Sequence, residues 1–447
     1  MPAPSLPNEI IAKIVDRLPR DALVSASCVC KTWYFLVLPI LYDSVSVGRH
    51  RHIKQLLRVF AGNNVLTSPI SAYIHHLCFN CTIENTKYTN SLLIQLEPLI
   101  LRLSQLQELS WGVGFIPEDL VFMKAFQTQC LQLRKVQLVI PDRFVVSTEK
   151  GKSSFATLLG FKNLDSFTLE VLPFPTDFHA HLLHPLKAFI MSSPELRVLK
   201  LDFKYNPITP EHFAASMGTE FTLPRLQTFH LGGGPDYYEG DINSPTPSGS
   251  GANHFLDFLS RHPLLKDIKL DCTFLRQFCD NVNSDVLARA LPALEQFSGP
   301  YFFWDCLVPS EIAARLTSLT INRWELDPEN SLELVISNKG LKLPALRTLD
   351  ISIEEFPKAM DILGSITSAA SGLEELFFPA ILQEYHADFL YFLSHTPEIQ
   401  QVHLWNYGDG FSSKGTPSPN GFFRIELIAA MHDMYPKLLV KCDGEWE

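Results

Sequence analysis

Between residues 74 and 399 a short phrase of apolar and polar positions returns twelve times. In it an apolar residue is followed by a second three positions on and a third two positions beyond that. The clearest copies are LRVLKL from Leu196, LQTFHL from Leu226, LKDIKL from Leu265, LTSLTI from Leu316, LRTLDI from Leu346 and LEELFF from Leu373. Fainter copies begin at Ile74, Leu106, Leu133, Leu164, Leu294 and Ile399. Nine of the eleven intervals span 26 to 32 residues, a regularity that marks internal repeats. Each phrase ends in alternating apolar and polar residues, the period of a strand with one buried face. Between phrases the spacing turns helical, as in AMDILGSITSAA from Ala359 and ADFLYFLSH from Ala387. Near the end, Leu427, Ile428, Met431 and Tyr435 share one helical face. Strand plus helix in every unit predicts an α/β repeat fold, with parallel strands inside and helices outside.

This pattern resembles the long, helix-backed leucine-rich repeats, whose strands line the inside of a horseshoe. The likeness is irregular. That family places Asn or Cys eight residues after the first Leu, whereas this chain has Lys204 after Leu196 and Glu354 after Leu346. Uneven curvature is therefore expected. A doubly wound α/β sheet fits less well, because no glycine phosphate loop accompanies the repeats. Gly/Ser/Pro tracts at about 232–253 and 406–421 bury too little apolar surface to offset their ordering entropy, which predicts mobile loops on the rim. The triple glycine at 232–234 runs into Pro235-Asp236 and not into a helix carrying Gly-Lys-Ser/Thr, so it is no phosphate cradle.

The first forty residues fit no repeat. Pro7 suits the first position of a helix, and Ile10, Ile14 and Leu18 follow at four-residue spacing, broadened by Ile11 and Val15. Pro19 ends that helix, Asp21 is placed to cap a second one with Leu23, and a third runs from Thr32 through Trp33 to about Pro39. Three such helices have too small a core to stand alone, so the first repeat or a partner must cover them. The series Leu6-Pro7, Glu9-Ile10, Ile14, Leu18, Leu23, then Val29-Cys30-Lys31-Thr32-Trp33, with Leu36, Pro39, Leu41 and Tyr42, resembles an F-box. An F-box followed by leucine-rich repeats is a familiar order, and the loose repeats with the LYDSV exit from Leu41 resemble fungal F-box domain-containing proteins.

The resemblance implies an F-box over 1–48 and a repeat solenoid over 49–447. It implies docking on a Skp adaptor and, through it, on a cullin–RING ubiquitin ligase, with Leu6, Pro7, Ile10, Ile14 and Leu23 facing the adaptor. Leu18, Cys30 and Trp33 are then the small internal core. The chain would be a non-enzymatic, substrate-recognition adaptor; the alternative is a Skp-bound scaffold or regulatory protein acting without ubiquitination.

Charge refines this picture. The net charge of −11 disfavours nucleic acid and anionic membranes as partners. No stretch approaches the roughly 20 apolar residues needed to span a bilayer, which points to cytoplasm or nucleus. Cys78-x-x-Cys81 has no second pair to complete a zinc site, and His179, His181 and His184 lack an acidic residue at ligand spacing. No catalytic motif occurs, so no catalytic, cofactor or metal residue is expected. The third, fifth and seventh positions of the phrase should line the inner sheet face. They carry Glu108, Glu170, Asp202, Asp267, Asp271, Asp350 and Glu375 against Lys135, Lys200 and Lys269, which favours a target with a basic segment. Phe377 and Trp405 add large aromatics to that face, so Asp350, Glu375, Phe377, His403 and Trp405 are the candidate target contacts. The competing expectation is that the final helix or the 406–421 tract covers these aromatics as core.

Overall fold

The computed structural model describes residues 6–61, 70–80, 86–113, 120–140, 149–172, 178–204, 208–233, 253–272, 284–322, 342–353, 356–379, 381–405 and 421–442. The chain divides into two units, Met1–Asn206 and Pro207–Glu447.

The first unit opens with helices α1 (Asn8–Val15), α2 (Arg20–Ser27) and α3 (Lys31–Tyr42). Pro7 lies just outside α1, where its carbonyl accepts the N–H groups of Ile10 and Ile11. Its fixed φ thus sets the start from the capping position and not from the first helical one. Asp21 does not cap α2: the helix begins after Pro19, and Asp21 sits in the first turn, where the helix dipole favours a carboxylate. Pro39 does not end α3, which runs to Tyr42. Proline forfeits one backbone bond but keeps a helical φ, and burial of Val37 and Leu38 holds the turn.

Strand β1 (Ser44–Val47) follows, then α4 (His50–Ala61) and β2 (His76–Phe79). Four more strands complete this unit: β3 (Glu108–Trp111), β4 (Lys135–Ile140), β5 (Ser166–Val171) and β6 (Val198–Asp202). Each is parallel to the next. Helices α5 (Thr86–Ile100), α6 (Val121–Gln129), α7 (Glu149–Leu158) and α8 (Phe178–Met191) return the chain between them.

The second unit repeats the scheme. Its strands are β7 (Thr228–Gly233), β8 (Asp267–Cys272), β9 (Gln296–Pro300), β10 (Ser318–Asn322), β11 (Thr348–Ser352), β12 (Glu375–Pro379), β13 (Gln401–Trp405) and β14 (Leu439–Cys442). All pair in parallel with their successors. Its helices include α9 (Pro210–Met217), α10 (His254–Ser260), α11 (Ser284–Ala290), α12 (Tyr301–Leu307), α13 (Phe356–Thr367), α14 (His386–Leu393) and α15 (Gly421–Met434).

Each of the twelve phrases supplies one strand, which starts two residues into the phrase. The apolar positions are the core: Leu196, Leu199, Leu346, Leu349 and Ile351 are fully buried. Each such side chain stabilises by roughly 1.5–3 kcal/mol. The carbonyl of the second residue joins neighbouring strands by taking two N–H groups, as Glu374 does from Gln400 at 2.8 Å and Gln401 at 3.0 Å. The position where the leucine-rich-repeat family places Asn or Cys holds Lys204. Lys204 is left-handed, at φ 45°, and its ammonium reaches Asp202 at 2.8 Å and Glu170 at 3.3 Å.

Strands β1 and β14 were not marked by the repeat. The β1 register makes Tyr42 the first phrase residue, so the end of α3 doubles as the start of the first repeat. At β14 the first position falls on Lys437, which hides the phrase. Of the tract expected as a loop at 232–253, Gly232 and Gly233 close β7, Asn253 caps α10, and 234–252 lie outside the described residues. So do 406–420 and Glu354.

Candidate functional site

In α1 two apolar stripes run side by side. Ile11 and Val15 are buried, while Ile10 and Ile14, one residue earlier, are 44% and 38% exposed. The 100° turn per residue produces this, giving one helix an inner row and an outer row. Leu6, 52% exposed, and Pro7 precede the outer row. The inner row joins Leu23, Ala26 and Val37, with Leu18, Trp33, Leu36 and Leu41 packed against it.

Two expectations are corrected here. Leu23 is not partner-facing: it is 3% exposed and belongs to the core, because it shares with Ala26 the face of α2 that packs inward. Val24, one residue on, points out at 53%. Cys30 is not core: it is exposed at the N-cap of α3, in extended backbone ahead of the first helical turn. Leu18 and Trp33 do pack on the core, both half-buried. Sequence reasoning also passed over the exposed Val29 (65%) and Phe35 (49%); Val29 sits in the quoted motif, which offered the only signal.

Residues 3–47 match the F-box-like family model. The N-terminal segment is an F-box-like domain. No curated protein matches the chain. Among solved structures, the complex of Rad7 and Elc1 in yeast is similar at 11% identity, with 92% of this chain and 90% of that chain covered and a TM-score of 0.38. A protein from Bacteroides fragilis is similar at 10% identity over 70% of this chain, with a TM-score of 0.27. The chain spans 65% of that bacterial protein, a little under two thirds of its length.

Beyond the F-box-like domain, the open sheet face of each unit carries the polar phrase positions. In the first unit the charges meet each other. His76 Nδ1 lies 3.2 Å from Glu108, Lys135 lies 3.9 Å from the same carboxylate, and Lys204 holds Glu170 and Asp202. In the second unit His230 Nε2 is 2.9 Å from Asp267, and Lys269 Nζ is 2.8 Å from Asp271. Asn322 also donates its amide to Asp271.

The expected target contacts Asp350, Phe377 and His403 fall in one register row across β11, β12 and β13. Phe377 stacks on His403 with centroids 4.2 Å apart and planes at 14°. His403 Nε2 is 3.4 Å from Glu375 Oε1, near enough to feel its charge yet not aligned as a hydrogen bond. Trp405 stands half-buried in the next row, opposite Pro379, and has interactions of its own. Asp350 differs from the other carboxylates: among the described residues no cation pairs with it, and its Oδ1 accepts only the Ser352 hydroxyl at 2.8 Å. Burial raises its carboxyl above the usual range, although the Ser352 bond and the nearby Lys269 charge pull the other way and Asp271 adds to the rise. Among the described residues no three His, Cys, Asp or Glu side chains are arranged to hold a metal ion. None of the described helices is long and apolar enough to cross a membrane.

Proposed function

We propose that this chain is a substrate-recognition adaptor of a Skp–cullin–F-box type ubiquitin ligase. The F-box-like domain, over about 1–48, docks on the Skp adaptor, and the repeats, over 49–447, hold a protein target. The observation that carries this is the outer apolar row Leu6, Ile10 and Ile14 beside an already complete inner row. Apolar side chains left at a surface by a core this small are contact material for a partner. The chain itself performs no chemistry in this reading. It raises the effective concentration of the target at the ligase, in the cytoplasm or nucleus. The target contacts are Asp350, Glu375, Phe377, His403 and Trp405.

The test is co-purification of the Skp adaptor with the wild-type chain and with Leu6→Ala/Pro7→Ala. Removing a Leu contact costs roughly 1.5–3 kcal/mol, and loss of the rigid helix start adds to it. Affinity should fall about 100-fold or more, with the melting temperature unchanged. Undiminished adaptor capture by the folded double variant would overturn the assignment.

A further inference from the structure

Most open-face carboxylates of the repeats already have a cation or amide partner, and Asp350 stands apart from them. Lys269, the cation whose charge reaches it, is held by Asp271 at 2.8 Å. Its surroundings have a defined relief. Register puts Thr320 on one side of Asp350 and Phe377 on the other, with neighbouring strands spaced about 4.8 Å apart. Thr320 and Asp350 are short; Phe377 is tall. His403, on β13, covers one face of the Phe377 ring, which leaves the other face on the side of β11, where Asp350 is the register partner of Phe377.

A carboxylate beside the negative face of an aromatic ring is a poor pairing in itself. A cation set above Asp350 satisfies both, through charge with the carboxylate and through cation–π attraction with the ring. A planar guanidinium does this better than an ammonium, because it forks onto the carboxylate while lying flat on the ring. We propose that the notch between Asp350 and the Phe377–His403 stack takes an arginine side chain of the protein target. This inference rests on the reading that the open face of the second unit binds the target. It adds the residue that is recognised and the groups that recognise it.

The test uses the full chain, immobilised and panned against a random peptide display library. The best peptide is then synthesised with a fluorescent label. Its affinity is measured for wild type, Asp350→Asn and Phe377→Leu, and again with its arginine replaced by citrulline, which keeps the shape and removes the charge. Arginine should recur at one peptide position. Citrulline should weaken binding to wild type about tenfold or more, and to Asp350→Asn about twofold or less, since the partner charge is already gone. Phe377→Leu should fall between these limits. Failure to enrich any peptide, enrichment without arginine, or an equal citrulline loss on wild type and Asp350→Asn overturns the proposal. Adaptor capture by the same variants reads only the N-terminal helices. Its retention beside a failed peptide test sinks the notch alone, and its loss in Leu6→Ala/Pro7→Ala tests the docking end separately.

Discussion

The F-box-like helices and the strand repeats use the same aliphatic residues toward opposite ends. In the repeats the phrase leucines are sealed between sheet and helices, as Leu346, Leu349 and Ile351 are, and the open face carries mostly polar groups, with Phe377 and Trp405 as exceptions. In α1 the isoleucines divide: Ile11 and Val15 go in, Ile10 and Ile14 stay out. A repeat borrows its buried surface from the next repeat, so adding units completes the core. Among the described residues, none seals the outer row of α1 in this way, and Leu6, Ile10 and Ile14 stay exposed. In the proposed reading, this exposed apolar surface is contact area for the Skp adaptor.

The sharpest break of this comparison is a pair of truncations. Leu349→Ala should destabilise the chain by about 2–5 kcal/mol, because a fully buried leucine leaves a cavity. Ile14→Ala, on the outer row, should cost a small fraction of that in urea denaturation while still weakening adaptor capture. Equal losses in the two variants would show that Ile14 is core and that the two regions do not differ in this way.

A second difference lies in how polar groups are buried. His262, between α10 and β8, is 1% exposed and has both ring nitrogens satisfied. Nε2 accepts the Leu223 N–H at 3.0 Å, and Nδ1–H donates to the Phe258 carbonyl at 2.6 Å. That tautomer is neutral. Burial, with a smaller push from Arg261, lowers its pKa to about 4 against the Phe258 bond, which raises it. Above about pH 6.5 both folded and unfolded imidazoles are neutral, and nothing is lost. As pH falls from there toward 4 the unfolded chain takes up a proton that the folded one refuses. Stability should therefore drop by up to about 3 kcal/mol across that window. Denaturation midpoints between pH 7 and 4 should flatten in His262→Gln. An unchanged slope would remove His262 as the cause.

The smallest effect concerns charges exposed on the rim. Lys266 and Glu295 approach to 2.7 Å with about half of each side chain in water. Lys266→Ala should change stability by less than about 1 kcal/mol, and high salt should erase even that. A larger, salt-resistant loss would mean that rim pairs hold neighbouring repeats together, a task now assigned to backbone and leucines.

Much of this was legible beforehand. The phrase located twelve strands, because a strand needs only alternation and a buried strand cannot hide its leucines. It missed β1 and β14 for different reasons. Tyr42 had been absorbed into the helical motif, and Lys437 replaces the apolar starter. In the helical segment the sequence named the right side chains but not all their directions. Leu23 and Val24 are adjacent and both aliphatic, so only the packing of α2 against α3 separates the inner from the outer.

From residues alone came the repeat period, the α/β class, the N-terminal motif and the acidic lean of the open face. These are properties of order and composition, and local periodicity carries them. The tertiary structure decided which charges neutralise one another. Asp271 and Asp350 read alike as open-face carboxylates, yet Lys269 is two residues from Asp271 on the same side of β8 and pairs with it. Asp350 stands three strands further along, beside a ring. Whether a carboxylate is answered or left open depends on register between strands that are about 30 residues apart in the chain, and no local pattern encodes that distance.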